Sequence, residues 1–137
     1  ACMARWPGKL PVGVVDVRPT LTFDLTASVL AAAGCEHRSD RPLDGVDVLG
    51  NIAAGKSPEP RTLFWRARRA DRTWKAVRKD QLKYVWRKDD DGLSEYLFDL
   101  GKDPGESNNV IGTFDPEASA LKQELAEWEV AMKPSGN

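Results

Sequence analysis

The sequence contains few residues from which a complete catalytic or metal centre could be built. Among 137 residues there are one histidine, His37, and two cysteines, Cys2 and Cys35. Two cysteines without C-x-x-C spacing match neither a disulfide framework nor a zinc or redox motif, so we interpret them as partly buried free thiols. A single histidine in a polar loop nearly excludes a histidine-based metal site or a Ser-His-Asp triad within this chain.

Long hydrophobic runs and a strong charge bias are also missing. No run of 18 apolar residues occurs, so no transmembrane helix is expected. The 20 basic and 21 acidic residues leave a formal net charge of −1. A chain with so small a net charge has no overall positive potential that would attract nucleic acid or anionic membranes. No signal peptide is visible, but Ala1 in place of Met indicates a cut chain, whose targeting segment would not be seen.

Residues 1–61 are rich in turn residues and predict little regular structure. After an extended or looped stretch, the run "TLTFDLTASVLAAAG" predicts a helix with Thr22 as its N-cap, Asp24 in its first turn and Gly34 just past its end. Residues 46–52 predict one short helical turn within a surface loop. The apolar positions expected to face a core are Leu25, Val29, Ala32 and Ala33.

The pattern changes at Thr62, where four aromatic and β-branched runs begin. The runs are "TLFWRAR", "TWKAVRK", "LKYVWRK" and "SEYLFDL", and the segments between them are "RADR", "DQ" and "DDDGL". This arrangement predicts an antiparallel meander. Alternation places Leu82, Tyr84 and Trp86 on one face, Lys83, Val85 and Arg87 on the other, and Tyr96, Phe98 and Leu100 together on one side.

A second helix is predicted near the C-terminus. Asp115 is its expected N-cap and Pro116 its first residue. An apolar stripe then indicates that one face packs on the sheet, with Trp128 buried against Tyr84, Trp86 or Phe98. The stripe consists of Ala118, Leu121, Leu125, Trp128 and Met132.

Seven motifs in a fixed order carry a family resemblance over nearly the whole chain. They are "RWPGKLP", "FDLTASVLAAAG", "PLDGVDV", "RTLFWR", "KAVRKDQLKYV", "EYLFDLGKDPGESNN" and "LKQELAEW". Together they resemble the C-terminal portion of a bacterial arylsulfatase, in the alkaline-phosphatase-like sulfatase superfamily. The turn "DPGE" after the last predicted strand is interpreted as architecture, with Asp103 and Glu106 accepting hydrogen bonds from backbone N–H groups.

The resemblance implies an α+β fold in which a four-stranded antiparallel sheet is packed by a C-terminal helix. Residues 1–61 would be the end of an alkaline-phosphatase-like α/β sulfatase domain, comprising a strand, a helix and a long loop. Residues 62–137 would form a small C-terminal subdomain. The parent enzyme would hydrolyse sulfate esters by formylglycine attack with calcium, and this chain would complete the fold and help to shape the substrate cleft.

The residues that the family uses for chemistry are not found in this chain. Neither Cys2 nor Cys35 begins a C/S-x-P/A-x-R motif, and the acidic residues Asp16, Asp24, Asp44 and Asp47 do not form the family's calcium cluster. We therefore predict no catalytic, cofactor-binding or metal-binding residue here, and no sulfatase activity of the chain alone. Arg66, Arg68 and Trp74 are the candidate residues for one wall of the parent's substrate cleft.

A second interpretation is a non-enzymatic module that binds an anionic glycan or nucleic acid. It would use a basic cluster flanked by Trp65 and Trp74, which is otherwise explained as a solvated strand face balanced by the aspartates at 89–91. The cluster comprises Arg66, Arg68, Arg69, Arg72, Lys75, Arg78 and Lys79.

For the sulfatase interpretation, the expected partners are an upstream catalytic domain of the same polypeptide and a sulfated small molecule or glycan. Nucleic acid and membranes are not expected, and homo-oligomerisation stays open. The family implies a periplasmic or secreted location, with a cytoplasmic one as the alternative.

Overall fold

The computed structural model describes residues 2–35 and 40–132, which belong to two units, Ala1–Glu59 and Pro60–Asn137. His37 and the residues beyond Met132 lie outside the described residues. The predicted domain boundary after residue 61 stays a prediction.

The first unit contains two helices where the sequence predicts them, α1 at Thr22–Ala32 and α2 at Val48–Ala53. Gly34 has a φ of +69°, the left-handed conformation expected of a glycine just past a helix end. The strand expected within residues 1–61 is not formed among the described residues of that range. A strand exists only as part of a hydrogen-bonded ladder, and these residues have no ladder partner in the described part of the chain.

The buried face of α1 differs from the predicted apolar stripe. Asp24, Ala27 and Ser28 are buried, whereas Val29 is 62% exposed and Ala32 and Ala33 are exposed. The reason is that polar atoms fasten the inner face of this helix to the backbone of the neighbouring loop and of α2, so hydrophobic periodicity alone gave the wrong face. Thr22 is the first helical residue rather than the N-cap, which is Leu21.

The second unit is the predicted meander. Its strands are β1 (Thr62–Arg69), β2 (Arg72–Lys79), β3 (Leu82–Asp89) and β4 (Gly92–Asp99), and they are ordered β1-β2-β3-β4 with every neighbouring pair antiparallel. Two-residue loops join the strands, at 70–71, 80–81 and 90–91. Loops this short fix the register of each hairpin, because they allow almost no slippage between the strands.

The register confirms the predicted alternation on β3. Phe64, Val77, Tyr84 and Leu97 are aligned across the four strands and form the centre of one face. Leu82 and Trp86 lie on that face with Tyr84, while Lys83, Val85 and Arg87 lie on the other. We call these the helix face and the open face, because the C-terminal helix of this unit packs on the first.

Helix α3 (Asp115–Ala131) packs on the helix face through Ala118, Leu121 and Leu125. Trp128 is half-buried, and its ring stacks on Phe64 with centroids 5.1 Å apart and planes 4° from parallel. The proposed contact with Phe98 is wrong, because Phe98 points to the open face.

The two ends of α3 also differ from the sequence prediction. Its N-cap is Phe114, so Asp115 is already the first helical residue. Met132 lies past the helix end and is 42% exposed, so it does not belong to the packing stripe.

The segment after β4 covers the outer edge of that strand. Asn109 accepts a hydrogen bond from Leu97 N at 2.9 Å, and Val110 N donates to Leu97 O at 2.8 Å. This pairing satisfies backbone groups that an edge strand would leave open to other chains.

Candidate functional site

The "DPGE" turn sets up this edge cover, and its two acids have different roles. The Asp103 carboxylate accepts hydrogen bonds from Ser107 N at 2.7 Å and Asn108 N at 2.8 Å, as predicted. The Glu106 carboxylate instead accepts from Lys83 Nζ at 2.6 Å, so its predicted role as a backbone cap is wrong. Glu106 has a φ of +56°, which turns the chain and aims the side chain at the open face of the sheet.

The open face carries a groove of about 390 Å³. Trp65 on β1 and Trp74 on β2 are diagonal neighbours there, because Trp65 pairs with Ala76 while Trp74 pairs with Ala67. The small floor residues Ala76 and Val85 leave space beside the two indole rings. Trp65 is 36% exposed.

Charged groups close one end of the groove. Arg78 and Lys83 are directly opposite one another on β2 and β3 and both line the groove. Glu106 neutralises Lys83. Arg78 donates from Nε to the Asp80 carbonyl at 3.0 Å and forms no ion pair with a carboxylate among the described residues.

The residues predicted for a cleft wall are not brought together on one surface. Arg66 and Arg68 are exposed on the helix face of β1, whereas Trp74 lies on the open face of β2. Their role in a substrate cleft stays a prediction. Sequence reasoning missed Val85 and Glu106 as groove residues, and the cross-strand register was the signal that could have linked Trp65, Ala76 and Val85.

The predicted basic cluster is divided between the two faces. Arg66, Arg68, Lys75 and Lys79 belong to the helix face, and Arg69, Arg72 and Arg78 belong to the open face. The expected balance by the aspartates at 89–91 is largely wrong, because for this cluster only an exposed Arg72–Asp90 contact of 3.8 Å is formed in the described part of the chain. The helix supplies the counter-charges instead, through Lys75–Glu129 at 2.7 Å and Lys79–Glu124 at 2.6 Å.

A partly buried polar network joins the sheet to α3. The Tyr84 hydroxyl donates to Glu95 Oε1 at 2.5 Å, and Lys122 Nζ reaches the same oxygen at 2.5 Å. The hydrogen bond from Lys122, aided by that from Tyr84, holds the pKa of Glu95 below its usual value. Burial, together with the Glu95 carboxylate, raises the pKa of Tyr84. The hydroxyl therefore stays protonated and the network is structural.

The first unit contains a second set of satisfied polar groups. Asp24 accepts hydrogen bonds from Leu21 N at 2.7 Å and Val46 N at 3.1 Å. Ser28 donates to the Asp24 carbonyl and accepts from Leu49 N. These bonds fasten the loop and α2 to α1, which explains why polar side chains occupy the buried face.

The remaining acid–base pair of interest in this unit is more exposed. Asp16 accepts a hydrogen bond from Arg18 Nε at 2.7 Å, and this bond lowers the pKa of Asp16. Arg18 also donates to the Lys56 carbonyl at 2.9 Å. The pair therefore holds the loop near Lys56 rather than a ligand.

The described residues form neither a metal-binding cluster nor a recognisable nucleophile site. No group of three or more His, Cys, Asp or Glu side chains in residues 2–35 and 40–132 could hold a metal ion. Cys2 and Cys35 are free and exposed, so the prediction of partial burial is wrong for both. No described helix is long and apolar enough to cross a membrane.

In a comparison with known proteins, parts of this chain match sulfatases. The N-acetylgalactosamine-6-sulfatase of Sus scrofa is 36% identical over 64 residues, which are 47% of this chain and 12% of that enzyme. The steryl-sulfatase of Mus musculus is 40% identical over 48 residues, which are 35% of this chain and 8% of that enzyme. No family model matches.

The fold has a solved counterpart. The crystal structure of Ps i-CgsB is similar with a TM-score of 0.73 and 23% identity, over 90% of this chain and 27% of that chain. The predicted fold class is confirmed by this similarity and by the observed sheet and helix. The chain is therefore similar in sequence to sulfatases, and it spans only a small part of the length of these relatives.

Proposed function

We propose that this chain is the C-terminal part of a sulfatase and that the rest of the same polypeptide supplies the reaction chemistry. The observation that carries the proposal is the partial match, since the similar region is 12% of the Sus scrofa sulfatase and 8% of the steryl-sulfatase. The parent enzyme would hydrolyse sulfate esters, and by family similarity it would be secreted or periplasmic.

The formylglycine and calcium of that reaction do not fit this chain. Cys2 and Cys35 lack the C/S-x-P/A-x-R context, and the described residues contain no cluster able to hold a cation. We therefore assign the nucleophile and the metal ligands to the parent's catalytic domain. The role that remains for this chain is to complete the fold and to present residues to the substrate cleft.

The three candidate residues for that cleft wall do not lie on the same face of the sheet. Arg66 and Arg68 extend from the helix face of β1, and Trp74 extends from the open face of β2. They would approach a substrate from opposite sides of the sheet. The arginines suit a sulfate oxygen, because a guanidinium offers paired N–H donors to such groups.

Activity of two proteins tests the proposal. One is the 137-residue chain, and the other is a longer polypeptide that adds the genomic sequence preceding Ala1. With a chromogenic aryl sulfate and calcium, we expect turnover by the longer protein and none by the chain alone. Genomic sequence without a C/S-x-P/A-x-R motif would contradict the proposal, as would turnover by the chain that Cys2→Ser or Cys35→Ser abolishes.

A further inference from the structure

The two outer edges of the sheet differ in how their backbone groups are satisfied. On β4, the outward N–H and C=O groups of Leu97 are bonded to Asn109 and Val110. On β1, no hydrogen bond from another segment within residues 2–35 and 40–132 reaches the outward backbone groups, and residues 65–69 are exposed. We propose that β1 binds an extended acidic segment of a partner protein, which adds to the sheet as a fifth strand.

The hairpin register identifies which backbone groups of β1 point outward. Because residues 70–71 form a two-residue loop, the two flanking residues close the hairpin as a hydrogen-bonded pair, and bonded and non-bonded pairs then alternate. The N–H and C=O groups of Arg66 and Arg68 are therefore directed away from β2. The same rule, applied to the 90–91 loop, directs the backbone groups of Leu97 outward, in agreement with its observed bonds.

The side chains along this edge specify an acidic strand. Arg66 and Arg68 on the helix face and Arg69 on the open face form no ion pair with a carboxylate in the described part of the chain. Lys75, directly opposite Arg66, already binds Glu129, so α3 neutralises only one of these two charges. A guanidinium binds carboxylate oxygens through paired N–H groups. Carboxylates two residues apart on an added strand would lie beside Arg66 and Arg68, because alternate residues share a face.

A peptide strand is favoured over other occupants by the backbone and by the charge. Strand addition to an exposed sheet edge is a recognised mode of peptide binding, and it requires alternating N–H and C=O groups that a glycan or a nucleic acid does not offer. A second copy of the chain would bring its own three arginines to the same edge, where like charges across a strand pair are unfavourable. An acidic peptide segment avoids both problems.

The inference is independent of the proposed sulfatase activity. Arg66 and Arg68 are also candidates for the cleft wall, and the two roles are tested by different measurements. Turnover of an aryl sulfate tests the first role, and binding of a peptide without any reaction tests the second.

Titration of the ¹⁵N-labelled 137-residue chain with a designed peptide tests the edge. The peptide has seven residues and blocked ends, with glutamate at its third and fifth positions and valine or threonine elsewhere. We expect the amide signals of Arg66 and Arg68 to shift and their hydrogen exchange to slow, since these N–H groups become hydrogen-bonded. The Leu97 amide, which is already covered, should change little.

Two altered peptides separate charge from strand pairing. A peptide with glutamine in place of both glutamates should bind about fivefold more weakly, since it loses two exposed ion pairs with the arginines. A peptide with two adjacent N-methylated residues at its centre keeps both charges but cannot pair along either of its edges. It should therefore leave the exchange rates of the Arg66 and Arg68 amides unchanged.

Matched variants locate the charge that matters. Arg68→Glu should weaken binding of the acidic peptide about tenfold, because attraction is replaced by repulsion. The double variant Arg66→Glu, Arg68→Glu should instead bind a peptide with lysine in place of both glutamates, which wild type should not bind. The control Lys102→Glu makes the same charge reversal on an exposed side chain beyond the end of β4, and it should change the affinity less than about twofold. An unchanged Leu97 amide signal in each variant would show that the sheet is intact.

Four outcomes would overturn the proposal. They are the absence of shifts at Arg66 and Arg68, equal affinity of the glutamate and glutamine peptides, slowed exchange with the N-methylated peptide, and equal losses from Arg68→Glu and Lys102→Glu. Absence of shifts would assign the arginines to protection of the edge against other strands.

The same amides report two other occupants of the edge. Slowed exchange that depends on protein concentration without peptide would assign β1 to a second copy of the chain. Slowed exchange in a longer polypeptide that includes the sequence preceding Ala1, again without peptide, would assign β1 to the upstream domain. Either result would reject a partner protein at this edge.

Discussion

Replacement of Trp128 by alanine tests how α3 is held on the sheet. Trp128 is half-buried, lies beside the hydrophobic core and stacks on Phe64 at a centroid distance of 5.1 Å. Glu127, the preceding residue, is exposed and bonds Gln123 within the same helix at 2.8 Å. The two positions therefore differ in orientation while sharing the same helical context.

The expected cost follows from partial rather than complete burial. A fully buried Phe or Trp loses about 3–5 kcal/mol on truncation to alanine. About half of that applies to Trp128, and the lost ring stacking adds about 0.5–1.5 kcal/mol. We therefore expect Trp128→Ala to lower the free energy of unfolding by about 2–4 kcal/mol. Leu125→Ala, at a position only 4% exposed, should cost about 2–5 kcal/mol.

Urea unfolding followed by far-UV circular dichroism measures these free energies without relying on the fluorescence of the residue that is removed. Glu127→Ala is the control and should cost less than about 0.5 kcal/mol. Glu124 is unsuitable as a control, because it binds Lys79 and Thr62. Equal costs for Trp128→Ala and Glu127→Ala would show that α3 does not dock through this face.

Two further predictions concern a close approach in the first unit and an acid in the second. Gly45→Ala should destabilise the first unit, because the added Cβ would lie 2.2 Å from the Phe23 carbonyl oxygen. Gly112→Ala is the control and should leave stability nearly unchanged, because no atom lies within 4 Å of its added Cβ. Equal unfolding free energies of these two variants in urea would refute the close approach. Glu95→Gln should lower the free energy of unfolding at pH 7, and its difference from wild type should shrink as the pH falls below the ordinary glutamate pKa of 4.5. The reason is that a carboxyl whose pKa is depressed in the folded state loses its stabilising contribution when it is protonated. The pH dependence of the urea midpoints measures this; Lys122→Met should reduce the effect, and a constant difference between pH 7 and pH 3 would contradict it.

The second unit was largely predictable from sequence. Alternation in "LKYVWRK" assigned the two faces of β3 correctly, and the stripe through Leu121 and Leu125 gave the buried side of α3. Both signals are local and periodic, so a single sequence carries them. The partner of Trp128 was not predictable in this way, because it depends on the position of β1 relative to the helix.

The first unit shows where periodicity fails. Asp24 and Ser28 are buried because they bond backbone groups of residues 46 and 49, and nothing in their spacing indicates such distant partners. The groove was missed for a related reason. Trp65 and Val85 are 20 residues apart in sequence, and they line the same groove only because the two-residue loops fix the register of the strands.

The regular spacing of the strands has a consequence for folding kinetics. Successive strands begin at Thr62, Arg72, Leu82 and Gly92, so every β-ladder closes a loop between immediate neighbours in the chain. Loop closure of this kind costs little entropy, and hairpins form within about 1–10 μs. Because all three ladders are local in sequence, we expect the sheet to form quickly, and its core is completed when α3 packs on the helix face. The three ladders of the meander therefore need no segment that is remote in the sequence in order to form.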